Sequence, residues 1–146
     1  RKIIGRSKPE KHQRDVEIIL RVFALFIDSQ NYEKPMKSFL NHAMAKNRNA
    51  DSKNFRAFYR LFPKVCKRLV TEVGEKPFHI RGPINLAALD AIFTRLVERP
   101  DASAGQLDKA IRGLYQDEEF KDAVYYNTSD ATEVKVRLNK ARSAIR

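Results

Sequence analysis

The sequence predicts an all-α fold, a single bundle of about seven helices around a central apolar helix, and three observations carry that prediction. The stretch Val16 to Ile27, VEIILRVFALFI, is apolar on every side and interrupted only by Glu17 and Arg21. A helix of that kind needs others around it. Downstream, apolar residues recur at helical spacing, and several of these segments open on a residue suited to cap a helix. No strand alternation, internal repeat or low-complexity tract interrupts the pattern. The apolar stretch is about twelve residues long where a bilayer needs roughly twenty, so no membrane partner is expected.

Residues 1–13 read as a basic lead-in, with Arg1, Lys2, Arg6, Lys8 and Lys11 against the single acid Glu10. Gly5, Ser7 and Pro9 oppose regular structure there. The apolar helix then starts near 13–15 and ends around 28–31. On it Glu17 precedes Arg21 by four residues, the favourable order for a structural ion pair. Pro35 opens a second helix carrying Met36, Phe39, Leu40, Ala43 and Met44, which ends near 47–49. Asp51 or Ser52 caps a third, with Phe55, Phe58, Phe62, Val65, Leu69 and Val73 on one face. Lys53, Arg56, Arg60, Lys64 and Lys67 recur on the opposite face. Pro63 predicts a kink or a break midway, and Gly74 ends the segment.

Residues 75–83 form an irregular connection with Phe78 and Ile80 as apolar anchors. Asn85 caps a fourth helix whose inner face is Leu86, Leu89, Ile92, Phe93 and Leu96, stopped by Pro100. Ser103 and Gln106 have capping-box spacing for a fifth helix with Leu107, Ala110, Ile111 and Leu114. A sixth begins at Asp117, with Glu118 and Glu119 placed to meet the positive end of the helix dipole. Asp130 and Glu133 repeat the cap-like spacing before a last helix carrying Val134, Leu138, Ala141 and Ile145.

The 146 residues fit one domain, and the chain's start at Arg1 suggests a fragment of a longer protein. A single cysteine, Cys66, excludes an intramolecular disulfide and suits a reducing, cytoplasmic setting. Cys66 falls in the apolar register of the third helix, which favours an inert thiol. His12, His42 and His79 lie far apart without metal-ligand spacing, and none of the five glycines makes a phosphate-cradling loop. These residues describe no catalytic, metal or cofactor site.

Lys and Arg number 29 against 18 acids, a formal charge of +11, which predicts attraction to polyanions and makes DNA the first partner to consider. A solvated basic surface, or an acidic neighbour outside the chain, accounts for the same charge. Three basic clusters carry the binding case: the lead-in, the stripe from Lys53 to Lys67, and the last helix with Lys135, Arg137, Lys140, Arg142 and Arg146. If they converge they track phosphates. Tyr59, Tyr115, Tyr125 and Tyr126 are candidates to stack on unpaired bases, although tyrosines on amphipathic helices are more often core-edge residues.

The order RKIIGR, RDVEIILRVFALF, MKSFLNHAM, NLAALDAIF and DEEFKDAVYYNTSDATEVKVRLNKA resembles the helical latter part of the ParB-like proteins catalogued as domain of unknown function 262, the GmrSD-type group. The resemblance spans essentially the whole chain. It is most specific at Glu17, Leu20, Arg21 and Phe23, with support from the spacing of Thr128, Ser129 and Arg137. It implies a prokaryotic, cytoplasmic protein of restriction or anti-phage defence. A ParB-like nucleotide-hydrolysing domain would precede this region, and a histidine-asparagine-histidine nuclease domain often follows it. The Asp-Gly-Gln-Gln-Arg motif of the hydrolysing domain is not in this sequence, so the resemblance transfers no catalytic residue. It suggests a non-catalytic helical domain that packs on the ParB-like domain and offers basic surface to DNA. A scaffold or dimerisation module is the alternative, and a third is that Glu17, Arg21 or Arg137 completes a nucleotide pocket.

Overall fold

The computed structural model describes residues 2–5, 13–49 and 52–146. Most of the lead-in, with His12, and the Asp51 capping alternative lie outside the described residues. Among the described residues there are seven α-helices and no strand, as the sequence predicts. They are α1 (Arg14–Asp28), α2 (Met36–Lys46), α3 (Lys53–Glu72), α4 (Leu86–Glu98), α5 (Leu107–Leu114), α6 (Glu118–Tyr125) and α7 (Ala131–Ala144), with a short 3-10 turn at Ser29–Asn31. None is long and apolar enough to cross a membrane.

The centre of the bundle is α4, not the Val16–Ile27 stretch. Ten of its thirteen residues are buried, and it packs against α1, α3, α6 and α7. Ala87, Ala88 and Ala91 explain why: small side chains let neighbouring helices approach α4 from several sides at once. Helix α1 buries Val22, Phe23, Ala24 and Leu25, but Val16 and Ile19 stay 55% and 41% exposed, so its first turns have an apolar face left uncovered by the described residues. A run of rings ties α1, α3 and α4 together, with centroids 5.2 Å apart for Phe23 and Phe58, 5.3 Å for Phe58 and Phe62, and 5.0 Å for Phe62 and Phe93.

Three predicted caps form. The Ser52 hydroxyl accepts from the Phe55 N–H at 3.2 Å, Asn85 Oδ1 from Ala88 at 2.9 Å, and Asp117 Oδ1 from Phe120 at 2.8 Å. The Phe120 N–H, together with the Lys140 ammonium, holds the Asp117 carboxyl below its ordinary value. Two others do not form. Ser103 has φ +53° and bonds Arg146, so α5 starts later, at Leu107. Asp130 gives its carboxylate to Lys34 at 3.0 Å and leaves α7 without a side-chain cap.

Pro63 neither breaks nor divides α3, which runs continuously through it. The carbonyl that proline deprives of a donor belongs to Tyr59, and both residues lie on the solvent side, where water can replace the lost bond. Gly74, at φ +105°, ends the segment as expected, its N–H bonding the Leu69 carbonyl at 3.1 Å. Phe78 is fully buried and pins the 75–83 connection.

Cys66 sits half-buried on α3, where burial pushes its thiol up to about 11. A thiol raised in this way holds less thiolate at neutral pH than a free cysteine, and the thiolate is the reacting species. Alkylation of the native chain at pH 7 to 8 is therefore expected to be at least about tenfold slower than that of the urea-unfolded chain. The rate should still be rising at pH 10, where a free thiol has levelled off. Equal rates in the two states would show the thiol to be open.

Candidate nucleic-acid interface

The cations of α3 are placed by the same periodicity that builds the core. At about 100° per residue, Lys53, Arg56, Arg60, Lys64 and Lys67 fall within an arc of roughly 80°, opposite the buried Phe58, Val65 and Leu69. All five are exposed. None has a hydrogen-bond or ion-pair partner among the described residues. The only acid of α3, Glu72, is taken by Arg68, whose Nε lies 2.6 Å from it. The helix therefore presents an unneutralised cationic strip about 20 Å long.

The other two clusters do not join it. Of the lead-in, Lys2 is the only cation within the described residues, and it pairs with Glu75 at 3.1 Å. On α7 nearly every cation is spent inside the protein. Lys140 Nζ lies 2.6 Å from Glu119 and 3.0 Å from Asp117, and these bonds raise it above its ordinary value. Arg142 pairs with Glu98 at 2.6 Å, and Arg137 is fully buried. Lys135 is exposed and has no partner among the described residues, but α7 packs on α4, α5 and α6 and makes no substantial contact with α3. Of the residues singled out for phosphate, then, the five on α3 share one exposed face, Lys135 stands apart and Lys140 is engaged elsewhere.

The tyrosines divide in the same way. The Tyr115 hydroxyl donates to the Pro77 carbonyl at 2.7 Å, and Tyr125 lies beneath the Arg81 guanidinium at 4.5 Å from the ring centre. Tyr59 is 73% exposed, stacks on Phe55 with centroids 6.2 Å apart, and stands beside Arg56 and Arg60. Tyr126 is also exposed, at the end of α6 away from the strip.

Glu17 and Arg21 do pair, at 3.8 Å, but the stronger partner of Arg21 is one that the sequence pattern does not single out. Asp90, fully buried on α4, accepts from Arg21 Nε at 3.1 Å and Nη2 at 2.5 Å, and Arg137 Nη2 approaches it to 3.6 Å. Burial alone would pull Arg21 down, but Asp90 and Glu17 more than offset it, and its pKa is raised. Arg137 lacks the two-pronged grip, and burial leaves it lowered. Its Nη1 donates to the Thr128 carbonyl at 2.7 Å, while Tyr32 donates to the Ser129 carbonyl at 2.7 Å. Thr128, Ser129 and Arg137, spaced apart in sequence, thus meet around one interior strut. Neither Arg21 nor Arg137 lines the cleft between α1, α2 and α3 or the groove between the 75–83 connection and helices α5 and α6. The one signal that could have found Asp90 is that it is a lone acid in the otherwise uncharged run LAALDAIF.

Among the described residues no cluster of histidine, cysteine and carboxylate side chains is arranged to hold a metal ion. No protein-family model matches the chain, and no curated protein or solved structure matches it.

Proposed function

We propose that this chain is a non-catalytic helical module that binds DNA through the outer face of α3. The observation that carries this reading is the set of five exposed cations on one helix face with no partner among the described residues and no acid between them. Side chains so placed lose little by meeting phosphates and release condensed counterions when they do. The resemblance to the ParB-like, GmrSD-type group supplies the setting: a cytoplasmic defence protein whose nucleotide-hydrolysing domain this module supports. The test is binding of the chain to a random-sequence duplex and to single strands of the same length across a salt series. Affinity that falls steeply with salt and is indifferent to sequence supports the reading. No binding at low salt, despite a net charge of +11, overturns it.

The alternative, a module that docks on protein, is favoured by a different observation. Val16, Ile19, Met44 and Phe55 leave apolar surface exposed around a cleft of about 290 Å³ between α1, α2 and α3. If that cleft mediates self-association, sedimentation at rising protein concentration will show a dimer that Ile19→Asp or Met44→Asp returns to monomer. A monomer at all concentrations would leave DNA binding as the reading for the chain alone.

A further inference from the structure

A groove of about 600 Å³ runs between the 75–83 connection and helices α5 and α6, away from the cationic strip of α3. Its size suits a small-molecule ligand. Four cations line it, Lys76, Arg81, Arg112 and Lys121, with two carboxylates, Glu75 and Asp108. Both carboxylates are already engaged: Glu75 with Lys2 at 3.1 Å, and Asp108 with Arg112 at 2.7 Å. Lys121 pairs with Glu118 at 2.5 Å. Lys76 and Arg81 have no carboxylate partner among the described residues.

We propose that this groove binds a ligand presenting a terminal phosphate or pyrophosphate group. Three features converge on that chemistry. First, the Arg81 guanidinium carbon lies over the Tyr125 ring, 4.5 Å from its centre, and with no carboxylate partner among the described residues its N–H groups are open to phosphate oxygens. Second, two residues of the lining carry a buried polar atom, Tyr125 Oη and His79 Nδ1, with no hydrogen-bond partner among the described residues. Such atoms cost free energy unless something supplies the missing bond. The neighbouring Tyr115 hydroxyl is satisfied by Pro77, so the deficit is specific to Tyr125 and His79.

Third, Lys76 holds a left-handed backbone, φ +57°, where glycine or asparagine would sit at less cost. Its N–H bonds the Lys2 carbonyl at 3.0 Å and its own carbonyl accepts from His79 at 3.1 Å, so the conformation is fixed from both sides. The strained position carries a long cationic side chain at the mouth of the groove. A phosphate bridging Lys76 and Arg81 neutralises both charges, and a shift of the side chains that cover Tyr125 Oη and His79 Nδ1 lets these unmet atoms bond it as well.

The test is calorimetric titration of the chain with pyrophosphate and with inorganic phosphate at physiological salt. Saturable one-to-one binding of pyrophosphate is expected, weakened about tenfold or more by Arg81→Ala and by Lys76→Ala, both at exposed positions. Tyr125→Phe, which removes one hydroxyl and keeps the ring under Arg81, should weaken it about fivefold. The control is Arg60→Ala with Lys64→Ala on α3, expected to leave pyrophosphate affinity unchanged. No saturable binding overturns the proposal. So does an equal loss in the α3 control, which would mean that pyrophosphate reads only the overall charge. A 5′-phosphorylated oligonucleotide titrated against its 5′-hydroxyl twin assigns the source of the group. A preference for the phosphorylated strand that Arg81→Ala abolishes places a nucleic-acid end in the groove. No preference, alongside saturable pyrophosphate binding, assigns the groove to small molecules.

Discussion

Replacing Asp90 by asparagine is expected to lower the free energy of unfolding by about 3–5 kcal/mol, a large share of the roughly 5–15 kcal/mol that holds a domain of this kind together. Asp90 is fully buried and is the one carboxylate that both Arg21 and Arg137 approach. Asparagine keeps the volume and removes the charge, so no cavity forms and the loss is electrostatic. Of the two guanidinium groups, Arg137 would then have no acid in contact among the described residues, and Arg21 would keep only Glu17, at 3.8 Å. Arg137 already has Nε and Nη2 without hydrogen-bond partners among the described residues. Urea unfolding followed by circular dichroism measures the change.

A second variant separates the cause. Replacing Arg21, Asp90 and Arg137 together by Met, Leu and Met removes every charge at once. It is expected to cost less than Asp90→Asn alone, since buried ion networks are often replaceable by apolar side chains at little cost. Should Asp90→Asn cost under about 1 kcal/mol, water must reach the arginines and the strut is not what anchors α1 and α7 to α4.

Asp90 also marks where sequence reading stops. Helix existence, order and ends depend on near neighbours, and those were legible: Asn85 and Asp117 cap as their positions imply, and Gly74 closes α3. What failed were inferences in which a side chain had a better distant use. Ser103 and Asp130 have the spacing of caps, yet each is taken by a residue far away in the chain, Arg146 and Lys34. Apolar density likewise pointed to α1 as the centre, because long aliphatic side chains dominate any hydropathy pattern. Being central depends instead on how many neighbours can approach, and the alanines of α4 allow more of them. The basic clusters follow the same rule. The α3 stripe was legible because, among the described residues, no acid of its own or another element pairs with it, whereas Lys140 and Arg142 are neutralised by α6 and α4.

Replacing Arg56, Arg60, Lys64 and Lys67 together by alanine is expected to flatten the dependence of log affinity on log salt by up to about 3.6 units, near 0.9 for each phosphate that is no longer neutralised. Over a fourfold change in salt that amounts to a difference of roughly a hundredfold in how much affinity falls. The argument is geometric first. All four lie on the exposed face of α3 and none has an intramolecular partner among the described residues, so their removal should leave the fold in place, each within about 0.5 kcal/mol. Lys140→Ala is the matched control: it removes the same kind of charge from the same protein, but Glu119 and Asp117 already neutralise that lysine. Its slope should equal that of the unaltered chain. If instead each lysine or arginine lowers the slope equally wherever it lies, binding reads net charge alone and no face of the protein is selected. An unchanged slope in the fourfold variant would remove α3 from any role in binding and return its cations to solvent.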